Sequence, residues 1–348
     1  MKKNLLLLLS VILLGGCSIM VKTPTVANYS NLDKINKDTS KNDVALLLGS
    51  PQGLGVYGPV QSPNELDFYF GLAGEFTLSG EVDVDSGLAF ISYKQNKPED
   101  LIYFRSKSTG TPKARNKNIT IKQVVDSIQL GKSNLGEVTK SIGQPEYTGR
   151  RANFSSGISN TVAYWDSSEV QPNGAIKEKW LLVGYDKNSI VQDVIWVSSK
   201  PDDIKGFGEV SEQQLQQMSR LVIAGVIPML EPTGLNTGTK IDPVQVDALI
   251  KSKPKNIKDV INVIGLPSAL GIKILEGSSP VGLANWSFSN VEIKGRESNF
   301  IPPEATQEER AKFSDSSFMI MKLDQSRLMI GHTADGEIKE ILWTKPIQ

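Results

Sequence analysis

Cysteine occurs once in the 348 residues, and histidine once. A single thiol forbids any disulfide within the chain, so stability has to come from packed apolar cores. A single imidazole, His332, excludes a histidine metal cluster and any two-histidine mechanism. It aligns with Tyr185 on a predicted strand, which gives it a structural or surface role. Net charge is missing as well: 38 Lys and Arg balance 38 Asp and Glu, whereas a nucleic-acid binder carries a basic excess. Long apolar runs are few. The best one after the N-terminus, Leu221 to Leu230, is short and interrupted by Pro228, so no later segment is fit to cross a bilayer as a helix. Catalytic motifs are absent too. Gly53-Leu54-Gly55-Val56-Tyr57-Gly58 has the spacing of a dinucleotide loop, but it follows a helix and precedes Pro59 instead of joining a strand to a helix. It reads as a flexible loop. Glu81, Asp83 and Asp85 alternate like the solvated face of a strand. Together these absences predict a protein that is not an enzyme, holds no cofactor or metal, and takes no small-molecule substrate.

What is present begins at the N-terminus. Lys2 and Lys3 precede an apolar run from Leu5 to Leu14, broken only by Ser10. That run has the size of a signal-peptide core and is too short to span a membrane. Leu14-Gly15-Gly16-Cys17 follows, and its cysteine is the chain's only one. The stretch resembles the lipobox of bacterial lipoproteins. The resemblance implies removal of a signal peptide, 1–16, a diacylglyceryl thioether on Cys17, and a palmitate-type acyl group on the new N-terminus. Two or more acyl chains anchor stably, because each buried methylene contributes about 0.8 kcal/mol. Ser18 stands where an Asp favours the inner membrane, so the lipoprotein pattern implies the outer membrane, facing the periplasm. Residues 17–29 then read as a lipidated tether.

The rest of the chain contains a repeat. Three segments align without gaps: Ser40 to Pro51, Asn134 to Pro145, and Asn256 to Pro267. Ser40, Asn134 and Asn256 are good helix N-caps. Asp43, Glu137 and Asp259, three residues on, complete capping boxes and suit the positive end of the helix. Val44, Leu47 and Leu48 share a helical face, as do Val138 and Ile142, and Val260, Val263 and Ile264. Gly49, Gly143 and Gly265 supply the left-handed turn past the last helical residue, and Pro51, Pro145 and Pro267 stop the helix. A shorter helix precedes each copy, signalled by Asp242-Pro243-Val244-Gln245 and Thr120-Ile121-Lys122-Gln123, and less clearly by Ser30 to Ile35. A final hairpin also repeats. Leu181 to Trp196 aligns without a gap with Leu328 to Trp343, with Asn188-Ser189 and Asp335-Gly336 at the turns. Leu88 to Tyr93 and Leu101 to Phe104 are the first copy's version.

Helix, helix, Gly-x-Pro, an aromatic strand, then a hairpin resembles the BamE (SmpA/OmlA) outer-membrane lipoproteins, a fold shared with beta-lactamase inhibitor protein. Tyr164-Trp165 and Asn285-Trp286 occupy the place of that family's Trp strand, with Asp67 to Phe70 in the first copy. The expectation is an α+β chain of tandem modules, each two short helices followed by a small antiparallel β-sheet. The modules are 30–106, 119–200 and 241–348, joined by a linker at 107–118 and a helical connector at 201–240, where Ser211 to Ile223 reads as an extra helix. A further insertion, Glu297 to Ser317, has a short helix expected from Glu304 to Phe313. Basic residues from Arg105 to Lys117 read as a polar linker. The resemblance implies a protein-binding scaffold or adaptor in envelope assembly, such as outer-membrane protein insertion, secretion or conjugation. Its partners would be the membrane, through lipid, and envelope proteins. The alternative is an inhibitor or decoy that captures another protein. Arg150, Arg151, Tyr164 and Trp165 are the candidate partner-binding residues; in the inhibitor reading Tyr164 and Trp165 stand exposed.

Overall fold

The structure is a computed structural model, and it describes residues 18–22, 29–77, 82–110, 119–170, 176–199, 240–278, 281–298, 317–333 and 335–347. Strand β1 is Ser18–Lys22. The first repeat begins with a 3-10 turn, Tyr29–Lys34, and helix α1, Lys41–Leu48. Strands β2 (Gly53–Gly58), β3 (Asn64–Thr77), β4 (Val82–Lys94) and β5 (Lys97–Gly110) follow. The second repeat has α2 (Ile121–Ser127), α3 (Leu135–Ile142), β6 (Tyr147–Asn153) and β7 (Ile158–Asp166). A small side hairpin, β8 (Glu169–Val170) with β9 (Ile176–Lys177), leads to β10 (Lys179–Tyr185) and β11 (Val191–Ser198). The third has α4 (Pro243–Ser252), α5 (Ile257–Ile264), β12 (Ala269–Leu275), β13 (Val281–Ser298), β14 (Ser317–His332) and β15 (Ile338–Pro346).

Local structure repeats as its residues dictate. Ser40, Asn134 and Asn256 cap α1, α3 and α5, each within a complete capping box. Gly49, Gly143 and Gly265 end those helices at φ 88°, 103° and 91°, backbone that favours glycine. The first N–H of each of these helices donates to a hairpin-turn carbonyl: Lys41 to Asn96 and Leu135 to Ser189 at 3.1 Å, Ile257 to Gly336 at 2.8 Å. All three turn residues have positive φ. The Trp165 and Trp286 indoles donate to the Gly143 and Gly265 carbonyls, both at 3.0 Å.

The global arrangement departs from the expected α+β chain of tandem modules with small sheets of their own. Twelve strands form one closed antiparallel barrel, in the order β2-β3-β4-β5-β6-β7-β10-β11-β12-β13-β14-β15 and back to β2. Each repeat contributes four neighbouring strands, and the repeats join edge to edge through β5 with β6, β11 with β12, and β15 with β2. The physical reason is edge satisfaction. A separate four-stranded sheet leaves unpaired N–H and C=O groups along both sides, and closure removes those edges. The edges that separate sheets would leave open to partners are consumed in these seams.

Gly53 to Gly58, expected as a flexible loop, is the seam strand β2. Its Gly55 is required there. A Cβ on Gly55 would lie 1.7 Å from the Trp343 carbonyl oxygen across the seam. The other seams carry the same residue at the same place. A Cβ on Gly149 would lie 1.8 Å from the Tyr103 oxygen, and one on Gly271 would lie 2.2 Å from the Trp196 oxygen. Each of these glycines is six residues past a helix-ending glycine.

Two other segments differ from expectation. Residues 18–22, read as tether, form β1, which pairs parallel with β14 (Met20 opposite Phe318) and antiparallel with β3 (Ser18 opposite Thr77). Residues 107–110, read as linker, continue β5. The connector 201–239, the helix expected from Glu304 to Phe313, residues 111–118 and Cys17 lie outside the described residues.

Candidate functional site

Strand register sorts the barrel residues onto two faces. One face holds Tyr69, Ile91, Leu101, Trp165, Leu181, Val183, Trp196, Trp286, Leu328, Ile341 and Trp343, buried in the same apolar clusters as the helices. On the other face, side chains meet across strands that are not neighbours. Arg151 on β6 grips Asp193 on β11 through two bonds of 2.9 and 2.8 Å. Lys273 on β12 reaches Glu340 on β15 at 2.7 Å, and Arg327 on β14 pairs with Glu178, just before β10, at 3.0 Å. In a flat sheet strands three apart stand about 14 Å from one another, beyond such contacts. The sheet therefore curls around this face, which lines the lumen, and the helix pairs pack on the outside.

The lumen is layered. Two residues past each seam glycine come Tyr57, Arg151 and Lys273, and three residues before each seam aromatic come Asp100, Asp193 and Glu340. These six sit at the end of the barrel where the β4–β5, β10–β11 and β14–β15 turns lie. They form a polar collar. Burial pushes the Asp193 carboxyl up, against the pull of Arg151 and Lys273. Burial also works against the Lys273 ammonium, but Tyr57 and Glu340 outweigh it and hold Lys273 above its ordinary value. In the first repeat Tyr57 takes the place of a cation, its hydroxyl pushed up by burial. Asp100 there accepts from Ser92 Oγ at 3.0 Å and Asn153 Nδ2 at 2.8 Å.

Above the collar the lining is aromatic and aliphatic. Phe68 and Phe90 lie 5.0 Å apart between ring centroids, and Phe104, Tyr147 and Trp180 surround Tyr164 at 5.1, 5.8 and 5.9 Å. Ile102, Ile195, Met329 and Leu342 are half-buried on the same face. Arg327 stands over the Trp180 ring at 6.0 Å, and Glu178 Oε2 accepts the Trp180 indole N–H at 2.7 Å. Beside Arg327 runs a row on β13, Asn285, Ser287 and Ser289, exposed by 0%, 3% and 2%. Neither amide atom of Asn285 nor either hydroxyl has a hydrogen-bond partner in the protein. Arg327 stands on the inward face of a closed barrel, yet 19% of its side chain surface is reachable by water. Such a combination marks the wall of an internal space, as expected of a twelve-stranded barrel, since eight strands already suffice to be filled by side chains.

The residues singled out from sequence are scattered by this geometry. Trp165 is wholly buried beneath the helices, bonded to Gly143, so it offers no surface to a captured protein. Tyr164 lines the lumen, half-buried, and Arg151 belongs to the collar. Arg150 is the one of the four partly exposed on the outer wall, where it donates to Ser159 Oγ at 2.9 Å and faces Asp33 at 3.7 Å. His332 is wholly buried, its Nδ1 against the Thr333 carbonyl at 2.8 Å and its Nε2 without a partner, and burial lowers its pKa. Sequence reading missed the collar and the Asn285 row. The collar had a signal, since its residues stand at fixed offsets from the repeated glycines and aromatics. The row had none, for it belongs to the third repeat alone.

No group of three or more acids, histidines or cysteines placed to hold a metal occurs among the described residues. The chain matches no family model, no curated protein and no solved structure. Fold and site together define its class: a closed twelve-stranded antiparallel barrel of three helix-pair repeats, with a polar-collared lumen.

Proposed function

We propose that the protein is a lipoprotein held to the outer membrane through Cys17, facing the periplasm, whose barrel is a rigid platform for protein partners in envelope assembly. The BamE-like repeat and the lipobox support this reading. The observation that carries it is the position of β1. The strand starts one residue after Cys17 and is paired on both sides, to β3 and to β14. An acyl anchor at Cys17 would leave almost no free tether, so the barrel would be held close against the bilayer. A mobile lipid anchor needs a long linker; a platform that presents a fixed surface at the membrane does not. The outer wall suits that role, because the second helix of each pair is bonded directly to a hairpin turn of its own repeat.

Fractionation and crosslinking test the two halves of the proposal. Wild-type protein should sediment with outer membranes, and Cys17→Ser should be released to the soluble periplasm. In-cell crosslinking of the wild type should recover envelope proteins in stoichiometric amounts. A soluble wild type overturns the anchor, and an anchored protein that recovers no envelope component overturns the platform.

A further inference from the structure

We propose that the lumen is a binding site for a single-chain amphiphile with an uncharged, hydrogen-bonding head, of the monoacylglycerol type. The inference goes beyond the platform reading and does not rest on it. It also departs from the sequence expectation that no small molecule is taken.

Three observations carry it. First, the lumen has an apolar wall that solvent can reach. Phe90, Ile102, Ile195, Met329 and Leu342 face inward and are half-buried, while their neighbours on the outer face are sealed under helices. Sites for organic ligands are concave, mostly apolar and furnished with a few polar groups that fix orientation. Second, those polar groups are present and unused. Asn285 presents both a donor and an acceptor, and Ser287 and Ser289 present hydroxyls two and four residues on, all on one strand face. Buried polar side chains are nearly always hydrogen-bonded, and each orphan costs free energy. A ligand with hydroxyl, ester or amide groups meets that need. Third, the charge is balanced. Arg327 opposite Ser287 is already paired with Glu178, so among the described side chains no free cation remains beside the row to select an anionic head.

The layering orients the ligand. The row extends along β13 away from the collar, towards the end of the barrel where Ser298 lies. The head occupies this row, and the apolar chain runs towards the collar, which closes the far end with ion pairs. The row is shielded from solvent, so the head gains access as the flexible Met329 side chain, the cross-strand neighbour of Asn285, swings aside, while Arg327 stays paired with Glu178.

Tryptophan placement supplies the assay. Of the five tryptophans, Trp165, Trp196, Trp286 and Trp343 lie in the helix-packed cluster, and Trp180 lies on the lumen face. The full-length protein, in the presence of nanodiscs of unbrominated phospholipid, is titrated with a monoacylglycerol brominated on its acyl chain. Saturable quenching is expected in the wild type and is lost in Trp180→Phe. Asn285→Leu weakens binding about tenfold, as does Ser287→Ala with Ser289→Ala, which keeps the test valid should Asn285→Leu fail to fold. The matching brominated fatty acid, an anion, binds at least about tenfold more weakly. The proposal is overturned by absence of saturable quenching, by quenching that survives Trp180→Phe, or by affinity indifferent to both row variants. The last result would mean that internal water alone satisfies the row. A fatty acid that binds as tightly as the monoacylglycerol overturns the uncharged head.

Discussion

Gly55, Gly149 and Gly271 do for the seams what no side chain can: they let one repeat's first strand lie against the last strand of the repeat before it. The Cβ positions of Gly149 and Gly271 fall 1.8 and 2.2 Å from a facing carbonyl oxygen, and backbone cannot move aside as a flexible side chain can. Gly149→Ala is therefore predicted to destabilise the barrel by about 3 kcal/mol or more, read as a lowered denaturant midpoint. Gly157→Ala is the control. Its Cβ would meet nothing within 4 Å, and only its φ of 72° opposes the change, a cost of about 1 kcal/mol. If the two variants are equally stable, the seam is not tightly packed. His332 gives a second prediction at this scale. Burial lowers its folded-state pKa, so the unfolded chain takes up the proton first as pH falls. Its contribution to stability is complete above the ordinary histidine value near 6.5 and is lost below it. Between pH 7.5 and 5.5 the wild type should lose up to about 1 kcal/mol more than His332→Gln. Comparing the two chains cancels other groups, including Asp193, whose raised pKa acts in the opposite sense. Denaturant midpoints that shift alike in both would refute the assignment.

At the scale of elements, strands gain their partners through the collar as well as through ladders. Arg151 and Asp193 tie β6 to β11 across the lumen, and Asp193 is buried to 1%. Arg151→Met leaves that carboxylate with only Asn160 and the charge of Lys273 for support, and loss of one member of a buried pair costs about 3–5 kcal/mol. Arg151 keeps 26% of its side chain exposed, so the lower figure applies. Arg151→Met with Asp193→Leu should recover most of the loss, because an apolar pair of similar volume substitutes well for a buried ion pair. A double variant no more stable than Arg151→Met would show that the pair has a role beyond compensating its own charges. The helix pairs are legible in the sequence, because caps, acids and terminal glycines act over four or five residues. The hairpin turns were legible for the same reason. Partner choice between repeats was not, since neither the period nor the composition of β5 names β6 as its neighbour.

For the whole molecule, closure changes what the repeat means. Three units that would each need two protected edges share three seams instead, and a lumen appears that belongs to none of them singly. Arg327 from the third repeat meets Glu178 from the second inside it. Such contacts between repeats explain why residues chosen for surface binding, Tyr164 and Arg151, turned out to face inward. The N-terminal strand adds an asymmetry: β1 enters only at the β3–β14 side, where both strands outrun β2 and β15.

The sequence by itself determined the local grammar of each repeat: where a helix starts, that it stops at Gly49, Gly143 or Gly265, and that a hairpin closes the unit. Those outcomes depend on hydrogen bonds and torsions among residues close in the chain. Only the tertiary structure decided that the units join into one ring, which face is concave, and that a lone polar row would meet an aromatic wall. Those outcomes depend on pairing between strands distant in sequence, and no local pattern carries that energy.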